Sequence, residues 1–97
     1  MYLTKEQMEQ FAEDGYLFFP NLFSQEEVQN LSSAVPQLYN IKAEYNYREK
    51  GSKLVRTNFA AHLYSKPFAK LARHPRMIQP VEDLLQEKLY MHQFKIN

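Results

Sequence analysis

Apolar positions recur at helical spacing in four stretches of the 97-residue chain, with short runs that read as strands among them. Met8, Phe11 and Ala12 form an i, i+3, i+4 stripe, which predicts a helix over residues 4–14. Thr4 and Gln7 have the spacing of a capping box, and Gly15 supplies the left-handed residue that closes a helix without a steric cost. Val28, Leu31, Val35 and Leu38 predict a second helix over residues 24–38, opened by a capping box of Ser24 and Glu27. Pro36 falls late in that pattern and is expected to kink or end it. Ser65 is read as the cap of a short helix carrying Phe68, Leu71 and Ala72, which His74-Pro75 breaks. Met77, Ile78, Val81, Leu84 and Leu85 predict a further helix over residues 75–85, bent at Pro80.

Between the helices, residues 16–19 (Tyr-Leu-Phe-Phe) read as a short strand stopped by Pro20. Residues 53–59 read as a second, with Leu54 and Val55 as its buried pair. Residues 90–97 read as a third. Strand alternation sends Met91, Gln93, Lys95 and Asn97 to one face and Tyr90, His92, Phe94 and Ile96 to the other. A polar row backed by aromatic and β-branched residues suits the inner wall of a barrel holding a polar ligand, and equally an edge strand with one wet face. Residues 40–52, where Tyr45 and Tyr47 alternate with Lys42, Arg48 and Lys50, lack a period and read as a surface loop. Strands so few and so scattered predict an α+β fold in one domain, residues 1–97.

Composition narrows the function classes. A net charge of +1, with Lys and Arg dispersed, gives no electrostatic footprint for nucleic acid or an acidic membrane. No apolar run approaches the ~20 residues of a membrane span, and the N-terminus lacks the pattern of a signal peptide, so a cytoplasmic location is expected by default. The absence of cysteine excludes disulfides and thiolate metal sites. Two glycines leave no phosphate-cradling loop. His62, His74 and His92 have no metal-ligand spacing and read as structural histidines. Glu26 and Glu27 read as first-turn residues favoured by the helix dipole. Arg56, a permanent cation beside apolar residues, reads either as a snorkelling strand arginine or as a ligand contact.

Four stretches taken together carry a resemblance. They are Leu3-Thr4 through Phe11, Asp14-Gly15-Tyr16-Leu17; Leu22-Phe23-Ser24 with Glu26-Glu27-Val28; Val55-Arg56-Thr57, Phe59 and His62; and Arg73-His74-Pro75-Arg76 leading into Tyr90-Met91-His92-Gln93-Phe94-Lys95-Ile96-Asn97. In order and spacing the chain resembles the N-terminal part of the phytanoyl-CoA dioxygenase family, and its ending, His-Gln-x-Lys-Ile-Asn, is the most telling part. The resemblance implies the N-terminal helices and first strands of a double-stranded β-helix (cupin-like jelly roll), with the barrel incomplete in this chain. It implies Fe(II) and 2-oxoglutarate as cofactors, hydroxylation of a small-molecule or acyl substrate, and decarboxylation of 2-oxoglutarate to succinate. Some relatives halogenate instead.

The family's His-x-Asp…His iron ligands follow the strand that matches residues 90–97. None is expected here, so the chain alone is expected to be inactive. What the resemblance carries over is one side of the pocket: Arg56, Gln93, Phe94 and Asn97 as contacts of the co-substrate, and Phe59 and Lys95 as substrate-pocket residues. Strand alternation sets Phe94 opposite Gln93, so the two share a pocket only if the strand bulges. The alternative from another class is a non-catalytic helical binding module using the Tyr-rich loop 40–52. Substrate identity and oligomeric state stay open.

Overall fold

The computed structural model describes residues 2–97. The elements run α1 (Lys5–Asp14), α2 (Gln25–Tyr39), β1 (Asn46–Arg48), β2 (Val55–Phe59), α3 (Ala61–Tyr64), α4 (Lys66–Ala72), α5 (Pro75–Leu85) and β3 (Lys95–Ile96). This is the α+β arrangement that the pattern predicts, with helices on one face of a small antiparallel sheet ordered β1-β2-β3.

Local chemistry sets the helix ends. In α1 the Thr4 hydroxyl accepts from the Gln7 amide at 3.1 Å while the Gln7 side chain accepts from the Thr4 amide at 2.9 Å. Ser24 and Glu27 repeat the exchange at α2. Gly15 closes α1 at φ 81°, the left-handed region where a Cβ would be strained. Pro36 does not end α2: the helix runs on to Tyr39, and the Pro36 carbonyl accepts from the Asn40 amide at 3.1 Å. Ser65 makes no side-chain cap. The cap of α5 is His74, whose Nδ1 accepts from the Arg76 amide at 3.1 Å.

Several strand expectations are corrected. Residues 16–19 belong to no ladder, with Tyr16 64% and Phe18 79% exposed. A strand is made by its neighbour, and among the described residues none lies beside them. Residues 40–52 are not simply a loop, since they contain β1. It pairs with β2 through a hairpin whose turn requires Gly51 at φ 77°. Leu54 sits in that turn and is 71% exposed, so it is not half of a buried pair. The ladder of the last strand is confined to Lys95–Ile96. Phe59 pairs with Lys95 and the chain then leaves the sheet at Ala60, φ 64°, so the residues before Phe94 find no ladder partner.

The core is small. Leu38, Ala61 and Phe68 are buried together, with Leu31, Val35, Leu71, Phe94 and Ile96 packed around them. Val28, Met77, Val81 and Leu85 lie on the predicted stripes yet are exposed. At the far end Leu3 is buried and its amide donates to the Asp83 carboxylate at 2.7 Å, pinning the N-terminus to α5.

Candidate functional site

Strand pairing sorts the sheet into two faces. The pairs Asn46↔Asn58 and Asn58↔Ile96 lie on the helix side. There Asn58 is fully buried and donates to Asn46 Oδ1 at 2.6 Å, and Asn46 Nδ2 donates to the carbonyls of Leu38 and Ile41 at 2.8 Å each. This buried relay ties the sheet to the end of α2. Arg48 reinforces it from the edge, donating to the Tyr39 carbonyl at 2.8 Å and the Lys53 carbonyl at 2.6 Å.

Among the described residues no helix crosses the opposite face, and α3 reaches only its rim through Tyr64. The pairs Tyr47↔Thr57 and Phe59↔Lys95 place these four side chains there. Tyr47 meets Phe59 edge-on with ring centroids 5.0 Å apart, and Lys95 Nζ stands 5.6 Å from the Phe59 centroid. Thr57 Oγ1 donates to Asn97 Oδ1 at 3.2 Å, which leaves the Asn97 amide nitrogen free to donate elsewhere. At the rim Tyr45 stacks on Tyr64 at 4.2 Å. The result is an aromatic floor edged by an ammonium, an amide and a hydroxyl.

Of the residues singled out from the sequence, the fold gathers Phe59, Lys95 and Asn97 on this face. Arg56 is the extra residue of a β-bulge, since Thr57 pairs with Tyr47 and Val55 with the next residue, Arg48. Its Nε lies 3.9 Å from Glu49 in a loose surface pair, with the two side chains 73% and 53% exposed. Such a pair holds the guanidinium weakly and leaves it available to a stronger anion. Phe94 turns the other way, into the core against Phe68 and His62 at 6.0 and 5.0 Å. Gln93 precedes the ladder and lines, with Leu71, Met77, Tyr90 and Lys95, a groove of about 380 Å³ beside α4 and α5. Tyr47 and Thr57 were not legible as site residues. Tyr47 lay in a stretch read as loop, and the signal that would have found it is Gly51-Ser52 between two short runs of β-prone residues.

A second polar cluster is structural. Arg76 donates to the Leu22 carbonyl at 2.6 Å, to Glu27 Oε1 at 3.0 Å and to Glu27 Oε2, while its guanidinium lies 4.6 Å from the centre of the Phe23 ring. The Arg76 hydrogen bonds, helped by the Ser24 amide, hold the Glu27 carboxyl at about 2, well below its ordinary value.

Comparison with known proteins follows the same residues. The family profile described as phytanoyl-CoA dioxygenase matches residues 11–97. The ectoine dioxygenase of Bordetella bronchiseptica is 32% identical over 99 residues, covering 98% of this chain and 32% of its own length. The L-proline trans-4-hydroxylase of Streptomyces griseoviridis is 29% identical over 87 residues, covering 90% of this chain and 32% of its own. The structure of EctD from S. alaskensis with 2-oxoglutarate and 5-hydroxyectoine superposes with a TM-score of 0.85 at 29% identity, over 98% of this chain and 35% of that one. The chain thus spans about a third of the length of the curated relatives it matches.

Proposed function

The chain belongs to the phytanoyl-CoA dioxygenase family, and from that premise we propose that it is the N-terminal third of an Fe(II)- and 2-oxoglutarate-dependent hydroxylase acting on a small molecule. The observation that carries the reading is the superposition of nearly the whole chain on an EctD structure that contains 2-oxoglutarate. The open face of the sheet supports it, because it offers cationic and amide donors beside an aromatic floor where a polar ligand would lie.

The fit to the two cofactors differs. Iron does not fit the described residues, since among them no three His, Asp, Glu or Cys side chains converge on one point. His62 packs on Phe94, His74 caps α5 and His92 is exposed. An iron set would come from chain outside these residues, and no step is assigned to the metal here. A dicarboxylate fits better. Arg56 is a loosely held guanidinium suited to a carboxylate, and Asn97 has a free amide donor. Gln93 is a third donor on the same segment, with Phe94 fixing that segment to the core. In this reading Arg56, Gln93 and Asn97 bind and orient 2-oxoglutarate, whose oxidative decarboxylation by dioxygen to succinate and carbon dioxide would accompany hydroxylation of a carbon with the second oxygen atom. Phe59 excludes water from the floor and Lys95 attracts the anionic part of the substrate. The small zwitterions ectoine and L-proline, after which the relatives are named, are the first substrates to try.

No described helix is long and apolar enough to cross a membrane. The reading is tested by succinate release. The whole protein loaded with Fe(II) and given 2-oxoglutarate with either zwitterion is expected to release succinate, and residues 1–97 alone to release none. Silence from the whole protein defeats the oxygenase reading. Iron-dependent release by residues 1–97 defeats the assignment of the ligands to other chain.

A further inference from the structure

One part of the open face lies outside the residues assigned above to the co-substrate. Glu44, Tyr45, Tyr47, Phe59 and Tyr64 line a cavity of about 540 Å³ at the β1 edge of the sheet. Its rings brace one another: Tyr45 and Tyr64 stack with planes 22° apart, and Tyr47 meets Phe59 at 68°. Aromatic faces carry the negative part of the ring quadrupole, and Glu44 adds a full negative charge, so the cavity suits an organic cation. An anion would meet repulsion from both. A neutral apolar ligand gains little in so open a cavity, because most of its surface stays in water.

The charge changes sign along the face. Lys95 Nζ lies by the same Phe59 ring that closes the cavity. The order is carboxylate, aromatic floor, ammonium. We infer that this trough seats a small zwitterion, its positive end against Glu44 and the tyrosine rings and its carboxylate toward Lys95. That the seated molecule is a substrate rests on the oxygenase reading, whereas the seat itself rests on the side chains of these residues.

The test reads binding, apart from turnover. Ring resonances of Tyr45, Tyr47 and Tyr64 in the isotope-labelled whole protein are followed during titration with tetramethylammonium chloride, with neutral tert-butanol, and with glycine betaine. Tetramethylammonium is expected to shift them saturably and tert-butanol to leave them in place. Glu44→Gln and Tyr47→Leu, both at exposed positions that do not support the core, should each weaken tetramethylammonium binding by about two- to fivefold. Lys95→Gln should weaken glycine betaine and not tetramethylammonium, since removing a nearby cation cannot disfavour a pure cation. Equal responses to tert-butanol and tetramethylammonium, or an affinity that ignores both Glu44→Gln and Tyr47→Leu, would overturn the cation seat. A betaine affinity indifferent to Lys95→Gln would overturn the zwitterion. A seat that behaves as expected in a whole protein that releases no succinate leaves the seat standing and the oxygenase reading refuted. Succinate release without cation-selective shifts does the reverse.

Discussion

Glu27 serves two elements with one carboxylate. It accepts from the Ser24 amide at 2.8 Å, closing the cap of α2, and from Arg76, which joins α2 to the start of α5. Its pKa in the fold is about 2 against an ordinary 4.5. A carboxyl depressed by folding contributes stability that is full above its unfolded pKa and is lost as pH falls through the folded one. The thermal midpoint should therefore fall between pH 4.5 and pH 2, and Glu27→Gln should flatten that part of the profile. The buried asparagines make a different prediction. Asn46→Ala leaves the fully buried Asn58 amide without its partner, while the Leu38 carbonyl still accepts from the Ile41 amide, so stability should drop by about 1–3 kcal/mol in urea denaturation. From the sequence, Glu27 was legible as a first-turn and capping residue because that partner is three positions away. Arg76 was not legible as its second partner, because a pairing across 49 positions has no local signature.

At the scale of elements, what a residue does near itself in sequence was readable and what it does through a neighbouring strand was not. The boxes at Thr4 and Ser24 and the cap at Gly15 formed where spacing put them. Ser65 has the right residue type without the bond. Ser24→Ala should then cost about 1 kcal/mol and Ser65→Ala less than about 0.5 kcal/mol, read from denaturant midpoints. Ala60 occupies the left-handed region at φ 64° where β2 hands over to α3. Ala60→Gly should relieve that strain and raise stability by about 0.5–1 kcal/mol. The period-2 rule put Lys95 and Asn97 on one face with Phe94 on the other, as the fold has them. It gave no sign of β1 within residues 40–52, which is defined by pairing with β2, nor of the bulge that sets Arg56 apart from its neighbours.

At the scale of the whole molecule, a small core coexists with Tyr16, Phe18, Leu63, Tyr64 and Tyr90 between 53% and 86% exposed. That aromatic and aliphatic surface lies outside the three strands and suits contact with further chain. The central claim is that Arg56 helps to hold 2-oxoglutarate. The most direct measurement is the KM for 2-oxoglutarate of the whole protein carrying Arg56→Ala, with the thermal midpoint recorded alongside. Arg56 is exposed, so the midpoint should barely move. Loss of a charge-assisted hydrogen bond to a carboxylate should raise the KM by about tenfold or more. A KM unchanged from the parent protein would contradict the assignment of Arg56 to the co-substrate.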